Sequence, residues 1–367
     1  MTARAGRHIL VTGFPSFLAR RLIAGLCQDP LARVTVLVQE RFLADAELAR
    51  DQLSALGRVD LLIGDVVKID FGLSGAEIGR LASSVEEIYH FAADSFFGET
   101  RHRLFDVNVT GTMHALDVAR VVRRLRRFVH LSSIIVAGRR AGRVLEGELD
   151  GRAGFHNAVE ESKFRAEQKV RARLHQLPIT IVRPGLVVGD SETGEIDRMS
   201  GPYLVLRAVV DPPFDLPLFQ PGAGNAPFQL VPVDYVVDAT LAIARHANSS
   251  GKTFHIVDPH ALPAHTVVEL VARAANRSAP LVRMPALVAR QLTRLAAFSR
   301  FFGEMRAAAD YFNTRATFDS QEADRILTEA GVTCPGFESY VDRLVAFIAS
   351  RSERAPEPRG DLHDPLF

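Results

Sequence analysis

The segment Val11-Thr12-Gly13-Phe14-Pro15-Ser16-Phe17-Leu18-Ala19 holds the first chemical signal in this 367-residue chain. It joins an apolar run ending at Thr12 to a stretch where Phe17, Leu18, Leu22, Ile23 and Leu26 recur at helical spacing, which makes it a strand-to-helix turn. At such a turn, unpaired backbone N–H groups and the helix dipole receive a phosphate or pyrophosphate. Of the glycine pattern Gly-x-x-Gly-x-x-Gly that suits this job, only Gly13 remains, with Ser16 and Ala19 in the other slots. The third slot governs helix–strand packing and tolerates a methyl group. The second lets phosphate approach the backbone, so Ser16 is the more serious departure unless its hydroxyl donates to phosphate instead. An ordinary βα turn is the plain alternative. A second position of interest follows Val38, at the end of the next strand, where Gln39, Glu40 and Arg41 stand. There an acidic residue meets the ribose diol of NAD and an arginine the 2′-phosphate of NADP. A neutral residue nearest the strand end favours NADP(H) over NAD(H), with Arg41 as the partner, although the same charges also suit a solvated loop.

The elements that would position these groups alternate along the first half of the chain. Strand candidates at residues 34–38, 59–63 (closed by Gly64-Asp65), 87–91, 127–131 and 179–182 are separated by helical patterns near 43–56, 104–123 and 158–174. Continuous rather than alternating apolar strands predict a parallel sheet covered on both faces, a doubly wound α/β (Rossmann) fold. Beyond Gly185 the prolines and glycines from Pro212 to Pro227 suit loops over a cleft. A strand–helix pair at 229–246 reads as a return to the main sheet. Helices near 266–275, 285–302 and 340–351 predict a smaller, mostly helical C-terminal substrate domain. The expected boundaries are 1–189 with about 229–250 for the dinucleotide-binding domain, about 190–228 and 251–352 for the substrate-binding domain, and 353–367 for a flexible tail.

The 44 Lys+Arg balance 43 Asp+Glu, so the chain lacks the basic excess that phosphate-backbone binding uses, and no nucleic acid partner is expected. The basic run from Arg120 to Arg127 is interleaved by Val121, Val122 and Leu125, as at a cation-rich helix end. Two cysteines, Cys27 and Cys334, are too few for a disulfide framework or zinc site, and the histidines show no ligand spacing, so no metal is expected. With no apolar run near ~18 residues, no transmembrane segment is expected, and the chain reads as cytoplasmic.

Several segments together, in this order, resemble the extended short-chain dehydrogenase/reductase family. Thr12-Gly13…Phe17-Leu18 is similar to its nucleotide turn and Gly64-Asp65 to its adenine-side contact. His90-Phe91-Ala92-Ala93 resembles its fourth-strand signature, Asn108-Val109-Thr110-Gly111-Thr112 the helix that follows, His130-Leu131-Ser132-Ser133 the strand carrying its catalytic hydroxyl, and Arg183-Pro184-Gly185 the segment after its sixth strand. The resemblance implies cofactor-binding contacts by Thr12, Gly13, Ser16, Phe17, Leu18, Arg41, Asp65, Ala92, Lys163 and Pro184. It implies catalytic roles for Ser133 and Lys163, with Asn108 supporting the helix that carries Lys163. Ser133 is preferred to Ser132 because it lies five residues before Gly138. The run Asp70-Phe71-Gly72-Leu73-Ser74 resembles the branch of thioester reductases and fatty acyl reductases, which implies a small-molecule or carrier-bound acyl substrate. The family's dimerisation through two helices implies a homodimer as an open expectation.

The family's reaction uses a tyrosine four residues before the lysine, whose phenol, acidified by the ammonium, exchanges a proton with the substrate oxygen. Here Asn157-Ala158-Val159-Glu160-Glu161-Ser162-Lys163 keeps both flanks of that motif and puts Val159 in the tyrosine slot. Three readings stay open: an NAD(P)(H)-dependent oxidoreductase with an unusual proton source, a nucleotide-binding pseudoenzyme acting as partner or scaffold, and a non-redox lyase or isomerase. His156 and Tyr203 are the candidate substitute donors.

Overall fold

The computed structural model describes residues 6–53, 57–96, 99–197, 202–211, 219–221, 226–277, 282–284 and 314–352. In chain order the first half runs β1 (Arg7–Thr12), α1 (Phe17–Leu26), β2 (Ala32–Val38), α2 (Leu43–Gln52), β3 (Val59–Ile63), α3 (Gly75–Ser84), β4 (Glu87–His90), α4 (Arg101–Phe105), α5 (Gly111–Val121) and β5 (Arg127–Leu131). Then follow β6 (Gly142–Val144), α6 (Ala158–Arg171), β7 (Ile179–Pro184), β8 (Leu186–Val188), α7 (Pro202–Val210), β9 (Phe219–Pro221), β10 (Leu230–Pro232), α8 (Val233–Arg245), β11 (Thr253–Ile256), α9 (Ala264–Ala274), β12 (Val282–Met284), β13 (Ala316–Phe318), α10 (Gln321–Ala330) and α11 (Val341–Ser352).

Seven parallel strands form the main sheet in the order β11-β7-β5-β4-β1-β2-β3. Chain order reverses between β1 and β4, so a crevice opens at the carboxyl ends of those two strands, where ligands of such sheets bind. The strand residues are apolar on both faces because both are covered. Ile9, Val11, Val34 and Val36 pack with helices α1, α8 and α10 through Leu22, Val236 and Ile326. Leu10, Leu37, Ile88 and Phe128 face α3, α5 and α6 through Leu81, Leu116 and Val170. A separate cluster, with Tyr203, Phe228, Leu230, Val268, Tyr340 and Ile348, is built by α7, α9 and α11 beside β8 and β10. It forms the smaller helical part.

Two expectations are corrected. The strand at 230–232 does not return to the main sheet but pairs with β8 in a two-stranded parallel sheet. The seventh main-sheet strand is instead Thr253–Ile256, which the sequence reading had placed in the substrate-binding domain. The reason is local: Gly185 gives its N–H to Ile256 O at 2.9 Å and Leu186 turns away to Gln229 O at 2.7 Å, so the chain leaves β7 and opens a second layer. Glu146 fastens this region, accepting N–H groups from His255, Glu322 and Ala323 at 2.9, 2.8 and 3.2 Å, which joins β11 to the first turn of α10. The expected helix at 285–302 and the tail at 353–367 lie outside the described residues. Among the described residues, no helix is long and apolar enough to cross a membrane.

Candidate active site

At the end of β1, Gly13 (φ 92°) is required by packing: a Cβ there would stand 2.8 Å from Ala92 N and Phe91 C. The nucleotide turn is therefore pressed onto the end of β4. Thr12 completes the join, its Oγ1 lying 2.9 Å from His90 Nδ1 and accepting N–H from Phe91 and Ala92 at 3.2 Å. Thr12 thus ties the end of β1 to the end of β4. Ser16 caps α1 by accepting from Ala19 N–H at 3.4 Å, while Leu18 is buried and Phe17 lies under the Arg20 and Arg21 guanidinium groups. Those arginines pair with Asp197, Asp190 and Glu195, drawing the 190–197 loop over the first helix.

Beyond the ends of β2 and β3 lies an open cavity of about 520 Å³ lined by Gln39, Arg41, Asp65, Lys68, Phe71 and Arg103 among others. Asp65 Oδ1 accepts from Gln39 Nε2 at 3.0 Å and Val67 N–H at 3.0 Å, and Gln39 Oε1 accepts from Arg41 Nε at 2.8 Å. The Arg41 guanidinium lies 4.5 Å from the Phe42 ring centroid; burial and then the Arg103 charge lower its pKa. The wall opposite is a left-handed turn: Asp70, Phe71 and Gly72 have φ of 51, 58 and 71°. Two non-glycine residues in that region are strained, held by the fully buried Phe71 ring and by Asp65 N–H donating to Phe71 O at 2.8 Å. Ser74, ending this motif, forms a capping box with Glu77 at the start of α3. Lys68 and Arg103 escaped the sequence reading because only folding brings α4 and the 65–72 loop to the Arg41 strand end.

Lys163 is 5% exposed and its ammonium makes no hydrogen bond or ion pair among the described residues. Burial pulls its pKa down to about 8, partly opposed by Asp94. Near it, the imidazoles of His90 and His130 stack at 5.7 Å, both kept neutral first by burial. Neither ring nitrogen of His130 has a partner in the structure. The helix carrying Lys163 is fixed by Asn108, which sits in a π-helical turn, Asp106–Thr110. Asn108 Nδ2 donates to Ser162 Oγ and to Asp94 O, both at 2.8 Å, and its Oδ1 accepts from Asp94 N–H at 2.7 Å. A wider helical turn of this kind recurs at functional sites.

The two serines part company. Ser132 Oγ is buried and donates to Glu167 Oε2 at 2.6 Å. Ser133 Oγ, half-buried, lies 3.5 Å from Pro184 O and opens the short 3-10 turn Ile134–Ala137, against which α6 packs. Glu167 also binds Arg183 Nε and Nη2, at 2.8 and 2.5 Å, and Arg171 Nε at 2.8 Å. Burial raises its pKa, but Arg183, Arg171 and Ser132 outweigh that and hold it at about 2. Val159 fills the slot one turn before Lys163 and is 1% exposed. His156 Nδ1 lies 3.1 Å from both carboxylate oxygens of the buried Glu160, and the Tyr203 oxygen accepts from Gly189 N–H at 2.6 Å. No phenol is hydrogen-bonded to Lys163 among the described residues; the remaining tyrosine, Tyr311, lies outside them.

The family model described as male sterility protein matches residues 11–240, the span holding all of these groups. The chain belongs to the male sterility protein family. Its fold is that of the extended short-chain dehydrogenase/reductases, and the cofactor class of this family of NAD-binding domains is the nicotinamide dinucleotide. Relatives include the nonribosomal peptide synthetase asaC of Aspergillus flavus, 26% identical over 68% of this chain and 26% of that protein. The carboxylic acid reductase of Mycobacterium tuberculosis is 26% identical over 69% of this chain and 25% of that protein. A fatty acyl-CoA reductase of Drosophila melanogaster, wat, is 26% identical over 59% and 46%. This member of the family thus spans about a quarter of the first and second of these relatives and under half of the third. Among solved structures, the terminal R domain from the myxalamid PKS-NRPS pathway superposes with a TM-score of 0.80 at 24% identity, covering 97% of this chain and 94% of that one. UDP-glucuronic acid 4-epimerase from Bacillus cereus, in complex with NAD, has a TM-score of 0.68 at 17% identity over 94% and 97%.

Proposed function

We propose that this chain binds NADP(H) and reduces an acyl group presented as a thioester on a carrier protein or coenzyme A. The observation that carries the reading is Lys163, a buried lysine whose ammonium has no hydrogen-bond or ion-pair partner among the described residues, held at the sheet's carboxyl edge by the Asn108–Ser162 contact. A buried charge left unpaired is destabilising, so such a group fits a ligand with oxygen atoms, here a nicotinamide ribose. The relatives named as peptide synthetases, a carboxylic acid reductase and a fatty acyl-CoA reductase support the thioester substrate class. Arg41 and Arg103, with Lys68, give the cavity beyond β2 three cations around the place where a 2′-phosphate would lie, which supports NADP(H) over NAD(H).

When bound, the reduced nicotinamide supplies a hydride. The chain's own part is to hold and orient. The turn after Gly13 offers the N–H groups at the start of α1 and the Ser16 hydroxyl proton to the pyrophosphate, and Asp65 sits at the adenine side. Lys163 holds the ribose, and Ser133 donates to the substrate carbonyl oxygen. Val159 supports the competing reading, a nucleotide-binding protein without chemistry. Titration of the protein with NADPH and NADH by fluorescence, followed by thiol release from an acyl-coenzyme A and an acyl-phosphopantetheine, separates the two. Tighter binding of NADPH with thiol release is the expected result. Absence of binding to either nucleotide refutes the whole proposal, and binding without thiol release leaves the pseudoenzyme.

A further inference from the structure

We infer that Val159 confines this site to a two-electron reduction, so that the product released is an aldehyde and not an alcohol; the inference rests on the thioester-reductase reading above. The two successive reductions of an acyl thioester differ in what they ask of an acid. In the first, a reduced nicotinamide nucleotide delivers a hydride to the acyl carbon, the carbonyl π bond opens, and the charge moves to oxygen. The carbonyl then re-forms as the C–S bond breaks, the electron pair leaves on sulfur, and the thiolate takes its proton from water. Thioester, reduced nucleotide and one proton give aldehyde, thiol and oxidised nucleotide. A thiol has a pKa near 8.5, so thiolate is a competent leaving group and the oxygen never has to be protonated.

The second reduction has no leaving group. Hydride addition to the aldehyde produces an alkoxide about as basic as hydroxide, far too strong a base to persist unprotonated near neutral pH. That oxygen must receive a proton, and the tyrosine slot that would give it holds two methyl groups. Ser133 still donates a hydrogen bond to the charged oxygen, which suffices for the first step. The other described phenols stand elsewhere: the Tyr203 oxygen accepts from Gly189 N–H, Tyr89 donates to Glu87 at 3.3 Å and Tyr235 to Val257 O at 3.4 Å, while Tyr340 packs edge-on to Phe337 in the helical cluster of α7, α9 and α11 with its buried hydroxyl unpaired. His156 is paired with Glu160.

The test compares wild type with Val159→Tyr and Val159→Phe, the latter matching the bulk without the hydroxyl. With an acyl thioester and NADPH, wild type is expected to release one aldehyde and oxidise one nucleotide per thiol, and to reduce the free aldehyde about 10²–10⁴-fold more slowly than Val159→Tyr. Val159→Phe should behave as wild type. A readout without substrate accompanies this: the ultraviolet absorbance of tyrosinate. Burial raises the pKa of Tyr89, Tyr203, Tyr235 and Tyr340, and subtracting the Val159→Phe titration removes the signal of Tyr311, which lies outside the described residues. The phenol introduced by Val159→Tyr should ionise below pH 10 because Lys163 stands one helical turn away, and the shift should vanish in the Val159→Tyr/Lys163→Met double variant. Alcohol from wild type with two nucleotides oxidised per thiol overturns the inference and leaves the reductase standing, as does an introduced phenol with an ordinary pKa. No thiol release from any variant overturns the reductase and the inference with it.

Discussion

Replacing Lys163 by methionine should make the ligand-free protein more stable at neutral pH while weakening its hold on nucleotide. The ammonium is 5% exposed and lacks a hydrogen-bond partner among the described residues, with a pKa of about 8 in the folded chain against about 10.4 for an unfolded lysine. The folded state therefore binds the proton less tightly, by roughly 2.4 units or about 3 kcal/mol. Below pH 8 both states are protonated and the folded chain carries that full penalty. Between pH 8 and about 10.4 the unfolded state holds more protons, so stability rises with pH and the penalty disappears. Methionine has similar length and no charge, and the Lys163→Met variant should gain up to about 3 kcal/mol at pH 7 and almost nothing at pH 10. Urea denaturation at both values, followed by circular dichroism, measures the difference. Saturating NADPH should then stabilise wild type by about 2.7 kcal/mol at 100 times the dissociation constant and the variant much less. Equal stabilities at pH 7, or a difference that does not change with pH, refute the assignment of Lys163 as a buried, strained charge waiting for a ligand.

Arg41→Ala should weaken NADPH binding about 10–100-fold with little effect on NADH, because a charge-assisted hydrogen bond contributes roughly 1.5–3 kcal/mol; equal losses for both nucleotides in calorimetric titration would remove the 2′-phosphate from that cavity. Glu167→Gln should destabilise the fold by about 3–5 kcal/mol, since it leaves the 1% exposed Arg183 guanidinium without a buried counter-charge; an unchanged urea midpoint would show that this network is not structural. The same carboxylate, held at about 2 in the folded chain against about 4.3 unfolded, contributes stability above pH 4.3 that is lost as pH falls toward 2, and wild type should lose more stability than Glu167→Gln across that window.

How far the sequence could be read depends on whether a signal is local. The doubly wound sheet was legible because its strands are continuous apolar runs, and the Ser133, Lys163 and Asn108 positions because short motifs carry them. The hydrogen bond from Asn108 to Ser162 sits one residue before Lys163. The return strand was misplaced because Leu230–Pro232 is wholly apolar whereas Thr253–Ile256, Thr-Phe-His-Ile, is half polar and only four residues long; only the divergence of the chain at Gly185 decides between them. The roles of Lys68, Arg103 and Glu146 depend on contacts between segments far apart in sequence. The bonding of the Thr12 hydroxyl to His90, Phe91 and Ala92, which joins β1 to β4, is likewise a contact between distant segments.

Helix α6 shows how the groups around Val159 are held. It buries Glu160, Ser162, Lys163 and Glu167 on its inner face, an arrangement the hydrophobic effect alone cannot hold. Glu160 is satisfied by Asn157 and His156, with the Asn157 side chain accepting its N–H. Ser162 is satisfied by Asn108 and Val159 O, and Glu167 by Arg183, Arg171 and Ser132. Lys163 is the exception on that face. The helix would be more stable with an apolar side chain at 163, because the supporting bonds of its neighbours do not involve the ammonium. The buried charge beside Val159 therefore supports the proposed reading, in which Lys163 holds the nucleotide.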